Sequence, residues 1–136
     1  MGIFDKLFGK QYGTTLKKIY YDNGNIKQED DIFLMKIIKF IEENLTNEKF
    51  SVTFICQHMA MGRTKLYTKV KETTGVSIVQ FVRDIRLKKA GYLLLKTTQT
   101  VEQISYQVGI NNLKYFRKHF KIMYHLTPSE YRKQGV

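Results

Sequence analysis

The sequence predicts an all-α fold: two helix-turn-helix subdomains joined by a long connecting helix, about seven helices in all, with a short N-terminal arm or hairpin. Three observations lead to this fold. Apolar residues recur at helical spacing from residue 31 onward, helix-capping motifs recur along the chain, and the apolar pattern repeats after about 50 residues. With 136 residues, the chain can form one compact domain or two very small ones that share a core.

Residues 1–30 read differently from the remainder of the chain. Asn23-Gly24 lies between the β-formers of Ile19–Tyr21 and Ile26, and Asn-Gly in that setting is a strong signal for a hairpin turn. An isolated hairpin is marginally stable in water. We therefore expect an N-terminal arm that is either a short hairpin or largely mobile, followed by the folded part at residues 31–136.

The first helical elements follow from apolar spacing and from caps. One stripe after Asp31 comprises Leu34, Ile37, Ile38, Ile41 and Leu45. Ser51 is placed to cap a helix that runs to about Met59. Met61-Gly62 is a turn into a second helix, which Gly75 closes, so the first helix-turn-helix spans about residues 51–75.

Three further caps organise the second half. Ser77–Gln80 is an S-x-x-Q capping box that starts a connecting helix over residues 77–96. Thr100–Gln103 begins the second helix-turn-helix, at about residues 100–125, whose second helix is capped by Asn111 or Asn112. Thr127–Glu130, with proline at the first helical position, begins a last helix.

The apolar positions of the two halves repeat. Val52, Ile55 and Met59 recur 49 residues later as Val101, Ile104 and Val108. Leu66, Val70, Val76 and Phe81 recur 50 residues later as Phe116, Phe120, Leu126 and Tyr131. Since the one-residue change falls in the turn between paired helices, it disturbs neither stripe. The chain is therefore expected to contain two copies of one helix, turn, helix unit.

Positive charge is concentrated in two zones of this chain, whose net charge is +11. Residues 61–96 carry nine Lys/Arg against two acidic residues, and residues 111–136 carry six against one. Such zones indicate a polyanionic partner, either nucleic acid or an anionic membrane surface. No apolar run is long enough to span a membrane, and one cysteine excludes an internal disulfide, so the cytoplasm is the expected compartment.

Each repeat places its basic surface on its second helix, as a reader of duplex DNA requires. A connecting helix of about 20 residues spans on the order of 30 Å. Major grooves on one face of B-DNA recur about every 34 Å. The sequence therefore predicts a DNA-binding protein that inserts two recognition helices into adjacent major grooves.

Several motifs of residues 51–134 can be compared with known families: IRLKKA in the connecting helix and, in the second half, V-G-x, YFRKHFK and TPSEYR. Through these motifs, residues 51–134 resemble the DNA-binding domain of the AraC/XylS transcription regulators. The segment around RTKLYTKVK is most similar to the C-terminal output domains of Bacteroidetes hybrid two-component regulators. The resemblance implies double-stranded DNA, RNA polymerase and an upstream sensor or dimerisation partner as partners.

The resemblance also implies which side chains read bases. They are Thr64, Tyr67 and Thr68 in the first unit, and Leu113, Lys114 and Lys118 in the second, with Arg117 close by. The remaining expected DNA contacts, at the phosphates or bases, are Arg63, Lys65, Lys69, Lys71, Asn112 and Lys121. Each of these cations has the alternative reading of solvated surface charge.

Three positions depart from the family pattern. Thr68 stands where the family often has arginine, which removes one guanine contact. Gly62 replaces a capping serine at little cost. Ala60 replaces a turn glycine, and alanine is disfavoured at positive φ, so an altered turn is expected there.

The remaining candidate sites have structural readings. Arg83 and Arg86 are expected to anchor the connecting helix through ion pairs or phosphates, and Cys56 to be a small core residue. The three histidines are dispersed, so neither a metal nor another cofactor is expected. No nucleophile elbow, carboxylate pair or phosphate loop supports an enzyme. The alternative function is a non-specific architectural nucleic-acid binder or a basic module that interacts with membrane surfaces.

Overall fold

A computed structural model of the chain describes residues 28–135, and all regular elements in that range are α-helices. Their bounds are α1 Gln28–Glu43, α2 Val52–Met59, α3 Arg63–Thr74, α4 Ile78–Lys96, α5 Val101–Gln107, α6 Leu113–Tyr124 and α7 Pro128–Gln134. The predicted all-α class is confirmed. The first helix begins three residues before the predicted start at Asp31. The predicted hairpin around Asn23-Gly24 lies outside the described residues.

The chain divides into two compact units. The first contains α1, α2, α3 and the beginning of α4, to Val82. The second contains the loop Asn44–Glu48 and everything from Arg83 onward. The predicted connecting helix therefore belongs to both units and is not a free spacer. Apolar side chains are buried along its whole length, including Ile78 and Phe81 in the first part and Ile85 and Leu94 in the second.

The core of the first unit is built from apolar stripes at the predicted spacing. The side chains of α1 buried there are Phe33, Leu34, Ile37, Ile38, Phe40 and Ile41. They are joined in the unit's interior by Ile55 of α2 and by Leu66 and Val70 of α3, each fully excluded from solvent. Leu45, which the apolar spacing places in the same stripe, is only partly buried and belongs to the second unit.

The turn between α2 and α3 keeps a left-handed residue. Ser51 Oγ caps α2 by accepting from the N–H of Phe54 at 3.1 Å. Ala60 then ends the helix in the left-handed region (φ 54°), and its N–H donates to the carbonyls of Cys56 and Gln57. The expected change in this turn is therefore absent. The left-handed geometry is retained, and alanine adopts it.

The second unit repeats these devices at equivalent positions. Thr100 and Gln103 form the full capping box predicted for α5. Gly109, 49 residues after Ala60, has a φ of 87°. Gly75 and His125, which end α3 and α6, are 50 residues apart and both left-handed. The repeat found in the apolar pattern therefore extends to the backbone conformation.

The last helix closes the second unit against α4. The capping box of Thr127 and Glu130 is complete, with Pro128 in the first turn, as predicted. Arg132 then donates from Nε to the Leu94 carbonyl at 3.0 Å and from Nη2 to the carbonyls of Thr97 and Gln99. These carbonyls belong to the end of α4 and to the segment after it, where a cation also interacts favourably with the helix dipole.

Candidate nucleic-acid interface

The helix α3 has a buried stripe and an exposed stripe on opposite sides. Leu66, Val70 and Thr73 are buried, at spacings of four and three. The exposed stripe contains Thr64, Tyr67, Thr68 and Lys71, which recur at i, i+3, i+4 and i+7. Because the apolar stripe faces the core of the unit, these four side chains necessarily face solvent.

Two threonines show how a polar stretch packs into that core. Thr73 Oγ1 donates to the Lys69 carbonyl at 2.7 Å, and Thr74 Oγ1 donates to the Val70 carbonyl at 2.6 Å. Buried hydroxyls that return a hydrogen bond to their own helix avoid the cost of an unpaired polar group. The helix can therefore carry a narrow apolar stripe and still dock firmly.

Three of the four predicted basic contacts on α3 also hold the protein together. Arg63 Nη2 donates to Thr53 Oγ1 on α2 at 2.8 Å. The ammonium of Lys69, which is half-buried, lies 4.8 Å from the centre of the Phe33 ring. Lys71 Nζ donates to the Gly75 carbonyl at 3.0 Å. Lys65 is exposed.

The helix α6 repeats this design with a different surface. Phe116, Phe120 and Met123 are buried. The opposite stripe is exposed and wholly cationic, and consists of Lys114, Arg117, Lys118 and Lys121. Leu113 is only half-buried. Asn112 is the N-cap, since its Oδ1 accepts from the Tyr115 N–H at 2.9 Å, so its side chain is engaged within the protein.

One flank of α6 carries a cluster of rings. Tyr115 lies against His119, with 4.2 Å between ring centres, and Arg83 Nη1 is 3.5 Å from the Tyr115 hydroxyl. Burial, and then the positive charges of Arg83 and Lys118, lower the pKa of His119 below its ordinary value. The lowered pKa favours the uncharged form of His119 at neutral pH. These contacts give Tyr115 a structural role on this flank of α6.

Two arginines in the basic zones are structural. Arg86 Nη1 donates to the carbonyl of Leu45 and, at 2.7 Å, to the carbonyl of Val108. The anchoring role expected for Arg86 is thus carried by main-chain carbonyls, and burial lowers the pKa of its guanidinium. Arg132 likewise binds carbonyls at the end of α4. Charge counts could not separate these two side chains from the surface cations.

Asp84 is a buried carboxyl that no sequence pattern indicates. Its side chain is only 5% exposed, and Oδ2 accepts no hydrogen bond within the described part of the chain. Burial raises the pKa of this carboxyl from 3.8 to about 7. An acidic residue flanked by arginines resembles an ordinary surface position, and only the packing around α4 reveals its burial.

Residues 28–135 offer neither a metal site nor a membrane span. No three His, Cys, Asp or Glu side chains lie close enough together there to hold a metal ion. Within the same residues, no helix is both long and apolar enough to cross a membrane. The exposed stripes of α3 and α6 remain the candidate interface.

Known proteins are similar to this chain in sequence. The helix-turn-helix domain family matches residues 55–134. The histidine kinase P4 of Formosa agariphila is 38% identical over 109 residues, which cover 80% of this chain and 8% of that protein. The HTH-type transcriptional regulator MtrA of Neisseria gonorrhoeae is 40% identical over 75 residues, which cover 55% of this chain and 25% of the regulator.

A solved structure shows the same fold over nearly its whole length. The C-terminal domain of the two-component response regulator yesN from Fusobacterium nucleatum superposes with a TM-score of 0.64 at 29% identity. The match covers 74% of this chain and 98% of that domain. The chain therefore spans only a small part of the length of these two relatives, whereas it matches almost all of the isolated domain.

Proposed function

The chain belongs to the AraC-type family of helix-turn-helix domains, and on that premise we propose that it regulates transcription by binding specific sites on double-stranded DNA. One observation carries the proposal. In each unit, the second helix docks through a buried apolar stripe and presents an exposed polar or basic stripe on its opposite side. A helix presented in this way fits the major groove of B-DNA.

We assign the DNA contacts to the exposed positions of α3 and α6. Thr64, Tyr67 and Thr68 face bases in the first unit, and Lys114, Arg117 and Lys118 do so in the second. Arg63, Lys65, Lys69, Lys71 and Lys121 contact phosphates. Asn112 caps α6 and Leu113 is its first residue. Both therefore lie at the N-terminal end of the helix, which we place close to the bases. Each helix enters a major groove, and the two grooves are adjacent.

The names of two similar proteins support the proposed partners of this chain. The Formosa relative is named a histidine kinase, and the Fusobacterium structure is the C-terminal domain of a two-component response regulator. Both names support an upstream sensor or dimerisation partner for this chain. A regulator of transcription acts on RNA polymerase in the compartment that holds the DNA, so we place the chain in the cytoplasm. We assign the chain no catalytic activity.

The test is selection of binding sites from random duplex DNA with the full chain, followed by titration of affinity against salt. We expect an enriched sequence that spans two grooves. If about six phosphates are contacted, log K should fall with log salt with a slope of about −5. Random duplex DNA and anionic vesicles should compete poorly. Equal competition by either would instead support the architectural or membrane-surface function.

Two variants sharpen the test. Lys118→Ala should relax base preference at the positions that the second unit reads, because the exposed stripe of α6 loses a side chain that contacts a base. Lys36→Ala, at an exposed lysine of α1, should leave the preference unchanged. Uniform weakening by Lys118→Ala on every sequence would make Lys118 a phosphate contact and not a base contact.

A further inference from the structure

The two candidate recognition helices distribute their charge in opposite ways. Each helix carries four Lys/Arg residues. In α3, the central exposed positions closest to the N-terminal end are uncharged: Thr64, Tyr67 and Thr68. The equivalent positions of α6, 50 residues later, are all cationic: Lys114, Arg117 and Lys118.

The flanking positions show the reverse pattern. In α3 they are Arg63, Lys65 and Lys69, so cations border an uncharged centre. Their equivalents in α6 are Leu113, Tyr115 and His119, which border a cationic centre with uncharged groups. The Tyr115–His119 stack and the contact of Arg83 with Tyr115 hold that flank in place. The inversion covers six pairs of equivalent positions.

From this inversion, and on the basis of the proposed function, we propose that the two units read different bases: the first reads thymine through its 5-methyl group, and the second reads guanine through its N7 and O6 atoms. In a major groove, the central stripe meets base edges while the flanks meet phosphates. Threonine methyls and a tyrosine ring suit the thymine methyl, because this contact buries apolar surface. Arginine and lysine suit guanine, whose groove edge presents two acceptors.

The side-chain contacts agree with this division. Arg63 is held by Thr53, and Lys69 lies over the Phe33 ring, so two flanking cations of α3 are anchored beside the uncharged centre. Tyr67 is 42% exposed, which leaves much of its ring available to a partner. Lys114, Arg117 and Lys118 are all exposed, and none of them has to leave the core to reach a base.

Modified bases test the proposal directly. The full chain is first used to select its duplex site, and its affinity is then measured on sites that carry single modified bases. Replacing thymine by deoxyuridine removes only the 5-methyl group, and replacing guanine by 7-deazaguanine removes only the N7 acceptor. We expect deoxyuridine to weaken binding about fourfold at positions read by the first unit, as for one lost methyl contact. We expect 7-deazaguanine to weaken binding about tenfold at positions read by the second unit.

Single-unit variants assign each effect to a unit. The double variant Thr64→Ser/Thr68→Ser keeps both hydroxyls, loses both methyls and leaves Tyr67 in place. The deoxyuridine effect should therefore vanish at the positions that the two threonines read, while the 7-deazaguanine effect persists. Arg117→Met removes every donor of that side chain, so the 7-deazaguanine effect should vanish at the guanine that Arg117 reads while the deoxyuridine effect persists. Circular dichroism checks that each variant folds.

Other outcomes overturn the division of bases without touching the proposed function. These are a selected site that tolerates deoxyuridine throughout, a deoxyuridine effect that the double threonine variant leaves unchanged at every position, or a 7-deazaguanine effect that Arg117→Met leaves unchanged at every position. Failure of the proposed function looks different, since the selection would then enrich no sequence and random duplex DNA would compete equally.

Discussion

The guanidinium of Arg86 fills the space that a side chain on Gly109 would need. A Cβ built on Gly109 would overlap both this guanidinium and the main-chain carbonyl oxygen of Leu45. Arg86 itself donates to the carbonyls of Leu45 and Val108. Gly109 also has a φ of 87°, which disfavours any L side chain. The turn between α5 and α6 and the anchor on α4 are therefore one structural feature.

Gly109→Ala should destabilise the second unit by about 3 kcal/mol, since it adds overlap with a backbone carbonyl to left-handed strain. Urea denaturation measures the loss. Gly62→Ala is the matched control, because a Cβ there meets nothing within 4 Å and φ is −71°. Equal stability of the two variants would contradict the packing of Arg86 against this turn.

Arg86→Met should lower the free energy of unfolding by about 2 to 4 kcal/mol, because the carbonyls of Leu45 and Val108 lose a donor. Arg86→Lys should lower it less, since an ammonium still donates to one of them. Arg117→Met makes the same chemical change at an exposed position and should leave stability unchanged while weakening DNA binding. A stable Arg86→Met variant would show that these hydrogen bonds contribute nothing net.

Ala60→Gly should stabilise the first unit by about 0.5 to 1 kcal/mol, because glycine adopts left-handed backbone without the penalty that alanine meets at φ 54°. His125→Gly should act in the same direction at φ 62°. The reverse change Gly75→Ala, at φ 81°, should destabilise. Thermal and urea denaturation report all three, and a loss of stability in Ala60→Gly would mean that its methyl group makes a contact worth more than the strain.

Asp84→Asn should stabilise the protein at pH 8 by on the order of 1 to 3 kcal/mol. Burial raises the pKa of Asp84 from 3.8 to about 7 in the folded state, so ionisation costs stability progressively as pH rises from about 4 to 7. The amide does not titrate. The difference between variant and parent should therefore vanish near pH 4 and reach its full size above pH 7 in urea denaturation at each pH.

Glu130→Gln is a control whose effect on stability should have the opposite sign to that of Asp84→Asn. Hydrogen bonding from Thr127 lowers the pKa of Glu130. The ionised carboxylate therefore stabilises the fold at neutral pH, and this stabilisation is lost as pH falls through the pKa of Glu130 in the folded state. The variant should be less stable than the parent at neutral pH and equal to it in acid. An Asp84→Asn profile that parallels the Glu130→Gln profile would contradict the burial of Asp84.

The local elements were predictable because their signals are short-range. Ser51, Thr100 and Thr127 cap helices as their sequence context predicts, and the stripe of Leu66 and Val70 is buried at its expected spacing. The repeat and the exposed stripes of α3 and α6 follow from the same periodicity. The assignment of individual DNA contacts stays a prediction.

Some features depended on residues far apart in sequence. Leu45, Arg86 and Val108 meet across 41 and 22 positions, and Arg132 reaches Leu94 across 38. No pattern within a helix indicates such pairs. Only the fold shows that Arg86 anchors through main-chain carbonyls, that Arg132 is a structural arginine and that Asp84 is buried.

By itself, then, the sequence determined the helices, their caps, the duplicated unit and the side of each second helix that faces solvent, because capping and amphipathicity act within a few residues. Only the tertiary structure decided which charges are left for a polyanion, that Ala60 adopts a left-handed turn and that α4 belongs to both units. Those outcomes depend on which carbonyls and apolar faces, far apart in sequence, come into contact in the fold. A charged group loses its hydration only when a core forms around it, so the free-energy cost of its burial depends on the tertiary structure.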